Sequence, residues 1–194
     1  ELMRNVIEHS QSKQFGLCAQ YWPSKSKVEV AILDRGIGLR ESLKNNPNVD
    51  VSTDKNAINY ALMPGVSGKA FKGARRQRSV NWKNSGFGLY MTNRIARNGG
   101  TFFLATGTSG LFLTKGAKTN FDCNIIGTAI RMVVKTDELA GLKDSLNQYR
   151  VEADEYQRQF GELIHIDPSA ASLMLSEDFK VSTWQKIRSR LGLG

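Results

Sequence analysis

Three short patterns, far apart in the chain, combine residue types capable of chemistry. The first is Glu1 with Asn5 and His9, spaced i, i+4, i+8 in the opening ELMRNVIEHS. On a helix that spacing stacks the three side chains on one face. An amide oxygen such as that of Asn5 can complete the oxygen shell of a Mg²⁺ ion that keeps several waters and bridges phosphates. A carboxylate held beside an incoming hydroxyl or water can act as a general base, a role open to Glu1. Taken alone the pattern is common. An exposed glutamate, a helix-capping asparagine and a satisfied helical histidine account for it as well.

The second pattern is Asp34-x-Gly36-x-Gly38, directly after the apolar run KVEVAILD. A carboxylate at a strand end can accept a hydrogen bond from an exocyclic amine, and glycines let the backbone turn and approach a flat ring. The third is Gly86-x-Gly88-Leu89 at the head of GLYMTNRIAR. The unpaired N–H groups and positive dipole end of a helix N-terminus attract phosphate. The spacing matches neither the longer dinucleotide fingerprint nor a P-loop with its lysine-serine pair.

The surrounding elements must bring these patterns together. Leu2, Val6 and Ile7 share one helical stripe, so the opening reads as a helix. KVEVAILD reads as a strand ending at Asp34. TDKNAINYALM reads as a short helix capped by Thr53 or Asp54 and stopped by Pro64-Gly65. GLYMTNRIARNGG predicts a helix closed by Gly99-Gly100. TFFLAT, SGLFLTK and GTAIRMVVK predict three strands separated by glycine turns. From Asp137 to about Leu163 apolar residues recur at threes and fours, which predicts a helix whose stripe packs back on the body or meets a partner. A further short helix is expected in DPSAASLML, and TWQKIRSRLGLG closes the chain. Helices alternating with antiparallel strands argue an α+β fold.

Charge and composition narrow the functional classes. The 194 residues carry a formal charge of +9. Between Lys55 and Phe121 there are six lysines, five arginines and no acid, and the rest of the chain is slightly acidic. The densest part, GKAFKGARRQRSVNWKNSG, is rich in Gly, Ser and Asn and lacks hydrophobic period, so it reads as a basic loop suited to a polyphosphate. Nucleic acid is not favoured, because aromatic stacking residues are not interleaved with these cations and no binding module is recognisable. No apolar run is long enough to span a bilayer, and the first residues carry no basic-then-apolar leader. Cys18 and Cys123 read as small buried hydrophobes in a reducing, cytoplasmic setting.

Order and spacing add a resemblance. The chain resembles the GHKL superfamily, the ATP-binding fold of DNA gyrase, histidine kinases, anti-sigma kinases and MutL. ELMRN matches its N box, DRGIG its first glycine box and SGFGLYMTNRIARNGGTFFLATGTSG its second box with the following helix and strand. GTAIRMVV matches the closing Gly-Thr strand, and ALMPGVSGK resembles the start of the ATP lid. The resemblance covers roughly residues 1–136. It implies a Bergerat fold, a two-layer sandwich with helices on one face of a mixed, mainly antiparallel sheet. A helical C-terminal extension, 137–194, would follow, and in this family some chain also precedes the N box.

By position, the resemblance implies that Asn5 binds Mg²⁺ and Asp34 the adenine amine. Gly36 and Gly38 would line the base pocket, Gly86, Gly88 and Leu89 would meet the phosphates, and Thr128 would support the adenine contact. His9 would approach the phosphates. Lys69, Arg75, Arg76, Arg78 and Lys83 would be the candidates for closing on the γ-phosphate, and the motif does not choose among them. Glu1 stands where hydrolytic members and anti-sigma kinases carry their general base. The implied ligands are ATP and Mg²⁺, and the expected activity is a Mg²⁺-dependent ATPase working as a lid-controlled switch. The alternatives are a serine/threonine kinase of anti-sigma type, a histidine-kinase catalytic domain, and a non-hydrolysing nucleotide sensor or scaffold. A protein partner or self-association is expected through the C-terminal helices.

Overall fold

The computed structural model describes residues 2–68 and 86–160. It is an α+β fold whose four-stranded sheet has the order β1-β2-β4-β3. Helix α1, Leu2–Asn5, runs into a π-helical turn, Val6–Ser10. Gln11, in the left-handed region at φ 56°, ends that turn. Leu2 and Val6 enter the core, whereas Ile7, expected on the same stripe, is 73% exposed. The four-residue step keeps Leu2 and Val6 on one side, and Ile7 lies about 100° further round.

Strands β1, Phe15–Trp22, and β2, Lys27–Asp34, form a hairpin through the 3₁₀ turn Pro23–Lys25. The sequence pattern marks no strand at β1, because Gly16 and Ala19 dilute the alternation. Helix α2, Gly38–Leu43, and helix α3, Asp54–Ala61, follow; Thr53 caps α3 by accepting a hydrogen bond from the Asn56 N–H. Helix α4, Gly88–Arg97, leads to β3, Thr101–Leu113, and β4, Lys118–Lys135. The 3₁₀ segment Asp137–Gly141 then precedes α5, Leu142–Phe160.

One expectation about the strands is corrected. TFFLAT and SGLFLTK are one strand rather than two, because Gly107 at φ 55° makes a bulge that shifts register without ending the pairing. The Asp54 carboxylate fills the space beside it, accepting from the N–H and hydroxyl of Thr108 at 2.9 Å each. The sheet is antiparallel at each of its three described pairings.

Alternation sends one side of each strand to the helices. Ile32, Ile130 and Leu104 form one cross-strand row, and they pack with Leu2, Val6, Ile58 and Leu62 in the main core. The opposite face is more polar and carries the Glu29–Arg131 ion pair. Helix α5 lies on α4 and buries Tyr149 and Ala153 against Tyr90 and Met91. Arg94 sits 4.7 Å from the centre of the Tyr149 ring and 2.9 Å from Glu152. Among the described residues no helix is long and apolar enough to cross a membrane.

The cysteine expectation is overturned as well. Cys18 is exposed, on the side of edge strand β1 away from the helices, and Cys123 is only half-buried. The helices expected in DPSAASLML and TWQKIRSRLGLG lie outside the described residues.

Candidate functional site

The row beside Ile32–Ile130–Leu104 is polar. Asp34 stands opposite Thr128, and Thr128 opposite Thr106, so three strands contribute one buried polar line on the helix-bearing face. Asp34 is 4% exposed and Thr106 1%. One Asp34 carboxylate oxygen accepts from the Gly36 N–H at 2.8 Å, and the Thr128 backbone N–H also donates to the carboxylate. Burial raises the Asp34 pKa above its ordinary value, outweighing the lowering by these two donors. A carboxylate offers about four lone-pair sites, so acceptor capacity remains after two donations.

Thr106 was not among the sequence candidates, yet it joins the two glycine turns of the site. Its hydroxyl donates to the Gly127 carbonyl at 2.8 Å and accepts from the Leu39 N–H at 3.2 Å. Gly38 and Gly127 both have positive φ, 74° and 87°. A Cβ on Gly127 would lie 2.2 Å from the Asp34 carbonyl oxygen, so this close crossing admits only glycine. Nothing local marks Thr106 in the sequence. Its role arises from a cross-strand register that brings it opposite Thr128.

Ser10 is the second residue the sequence reading missed. Its carbonyl accepts from the Ile37 N–H at 2.9 Å, and its hydroxyl donates back to the Val6 carbonyl at 2.6 Å. The end of the Val6–Ser10 turn is thereby clamped to the glycine loop after β2. Gly36 makes the clamp possible, since a Cβ there would sit 2.0 Å from the Ser10 carbonyl oxygen. Gly36 therefore lies behind the site, as the seam between two segments, and not among the residues that line the cavity.

These elements enclose a cleft of about 810 Å³, counting its open mouth. Of the sequence candidates, Asn5, His9, Asp34, Gly38, Gly86, Gly88, Leu89 and Thr128 all line it. Its apolar wall includes Val6, Leu39, Leu43, Val66 and Ile130. The combination is a greasy slot with one buried carboxylate in its wall, a form suited to a flat heterocycle that donates a hydrogen bond.

At another part of the wall, α4 begins with Gly88 and has no side-chain cap. Its first-turn N–H groups are thus left for an anion or for water. The chain reaches this helix through Gly86 at φ 71°, whose carbonyl accepts from the Gly65 N–H at 3.2 Å. Gly65 and Gly86 are the stems on either side of the basic segment, and Asn46 steadies the first stem by donating to the Ser67 carbonyl at 2.9 Å. Lys69, Arg75, Arg76, Arg78 and Lys83 lie outside the described residues, and so does Glu1.

Among the described residues no group of three or more His, Cys, Asp or Glu side chains is gathered to hold a metal by itself. A cation in this cleft would draw on the Asn5 amide oxygen and on oxygens brought by its ligand. That donor set fits Mg²⁺, which retains waters and binds through few protein groups. No protein-family model matches the chain, and no curated protein matches it either.

Proposed function

We propose that this chain is an ATP-binding module of the GHKL type, acting as a Mg²⁺-dependent ATPase whose basic segment closes over the nucleotide. The observation that carries the reading is the convergence of three separated patterns on one cleft. Asn5 and His9 come from the opening helix, Asp34 and Gly38 from the β2 loop, and Gly86, Gly88 and Leu89 from the head of α4.

In this reading Asp34 accepts the adenine amine, and Thr128, its cross-strand neighbour, supports that contact. The apolar wall takes the faces of the ring. The uncapped start of α4 receives phosphate, and the cations of 69–85 close on the terminal phosphate. Asn5 would hold Mg²⁺, which when bound would neutralise phosphate charge. Glu1 is the proposed general base for an attacking water. A ligand that meets the lid cations only in the closed form supplies the differential contact that a switch requires. The setting proposed is cytoplasmic, in keeping with two free cysteines.

Calorimetric titration with a non-hydrolysable ATP analogue, with and without Mg²⁺, tests the reading. Magnesium-dependent binding that Asp34→Asn weakens supports it, and the absence of binding to folded protein overturns it. Steady phosphate release without a protein acceptor then identifies the ATPase. Transfer of label to a protein would instead make the module a kinase of anti-sigma or histidine-kinase type, and binding without turnover would make it a nucleotide sensor.

A further inference from the structure

Helix α5 contributes no residue to the wall of the cleft, yet it stands directly behind one end of it. Gly86 and Gly88 line the cleft, whereas Phe87 between them does not. Phe87 packs instead against the cluster of Tyr90, Tyr149 and Ala153, the last two of which belong to α5. The segment that opens α4 thus shows its glycines to the cleft and its aromatic ring to α5. Polar groups tie the same seam. The Tyr90 hydroxyl donates to the Tyr149 carbonyl at 3.5 Å, and the Glu152 carboxylate accepts from Arg94 at 2.9 Å and from Gln148 at 2.8 Å.

One turn further on, the helix reaches the other side of this end. Tyr156 is buried in the main core, in the cluster that includes Tyr60 and Met63. Gln157, next to it, covers Gly65, where an added Cβ would overlap the Gln157 side-chain amide. The Gly65 N–H donates to the Gly86 carbonyl at 3.2 Å. The residue beneath Gln157 is therefore bonded to the neighbour of Phe87, and α5 touches both partners of that crossing.

We propose that α5 is a positioning element for the phosphate end of the cleft, holding Gly86–Gly88 through Phe87 and the Gly65 stem through Gln157. This rests on the nucleotide reading and divides it into two ends with different supports. The base end, at Asp34 and Thr128, is framed by the sheet and fixed by cross-strand register. The phosphate end is built on glycines at 65, 86 and 88, which lack side chains of their own to fix them by packing. Helix α5 supplies that packing from behind. Amides already held in place need no further ordering when phosphate arrives, so α5 docking and triphosphate binding favour each other.

Calorimetric titration with a non-hydrolysable ATP analogue and Mg²⁺, and separately with adenosine, reads the two ends apart. Tyr149→Ala should weaken binding of the analogue about tenfold or more while leaving adenosine within about twofold. Tyr149→Phe keeps the ring and should bind both ligands as the parent chain does. Gln157→Ala changes an exposed side chain. It should weaken the analogue about threefold at an unchanged melting temperature, and it decides the matter if Tyr149→Ala folds poorly. Equal losses for the analogue and adenosine would overturn the proposal, and so would no loss for either. Hydrogen exchange without nucleotide gives a readout independent of ATP. The amides of Gly65 and Met91, which donate to Gly86 and Phe87, should exchange faster in both alanine variants. If the parent chain binds neither ligand, the nucleotide reading fails, and unchanged exchange at these two amides would overturn the positioning role as well.

Discussion

Replacing Gly36 by alanine attacks the seam between the Val6–Ser10 turn and the β2 loop, at a residue that does not itself line the cleft. The new Cβ would lie 2.0 Å from the Ser10 carbonyl oxygen, against backbone rather than a flexible side chain. A carbon–oxygen contact needs about 3.3 Å, so the two segments must part by roughly 1.3 Å. That parting breaks the 2.9 Å hydrogen bond from Ile37 to Ser10. A lost buried hydrogen bond costs about 1–3 kcal/mol and overpacking about the same again. A net loss of about 2–4 kcal/mol is expected, lowering the melting temperature by roughly 5–15 °C for a chain of this size. The same movement shifts Asn5 and His9 relative to Asp34, so affinity for the ATP analogue should fall by more than about tenfold, the equivalent of ~1.4 kcal/mol. Scanning calorimetry and titration measure the two effects. Gly116→Ala is the control, because nothing lies within 4 Å of its Cβ position. If Gly36→Ala melts and binds like the control, the clamp does not hold the cleft together and the reasoning fails.

Three other outcomes are expected. Asp34→Asn should weaken nucleotide binding by about ten- to hundredfold, the value of a hydrogen bond to a charged group. Because burial raises the Asp34 pKa, the protonated carboxyl favours the fold. That stability is complete below the ordinary value and is lost as pH rises through the raised one, whereas affinity for ATP should fall as pH drops through the same window. Asp34→Asn should flatten both trends in pH-dependent melting and titration. Glu152→Ala removes the carboxylate that the largely buried Arg94 guanidinium meets at 2.9 Å, which should cost about 1–3 kcal/mol in chemical denaturation. At Lys118 burial, and after it the charge of Lys55, lowers the amine pKa from 10.5 to about 8. Between those values the unfolded chain binds more protons, so this group makes stability rise with pH, and Lys118→Met should remove that slope.

The sequence by itself determined the local chemistry. A cap at Thr53 or Asp54 was legible, and it is the Thr53 side chain that accepts from the Asn56 N–H. Gly88 opens a helix, KVEVAILD runs to Asp34 as a strand, and the apolar stripe after Asp137 forms a helix. These depend on spacing and on backbone freedom, which residues a few positions apart settle between themselves. The tertiary structure decided everything that depends on register and on crossing chains. β1 escaped notice because its alternation is diluted by small residues and is completed only by pairing with β2. Two expected strands became one because an Asp54 carboxylate, 54 residues away, satisfies Thr108 at the bulge. Thr106 entered the site because it stands across from Thr128, and Gly36 moved from the wall of the cleft to its seam because Ser10 occupies the space a side chain would need. Spacing within a segment tells which groups share a face. Only the fold tells which faces meet.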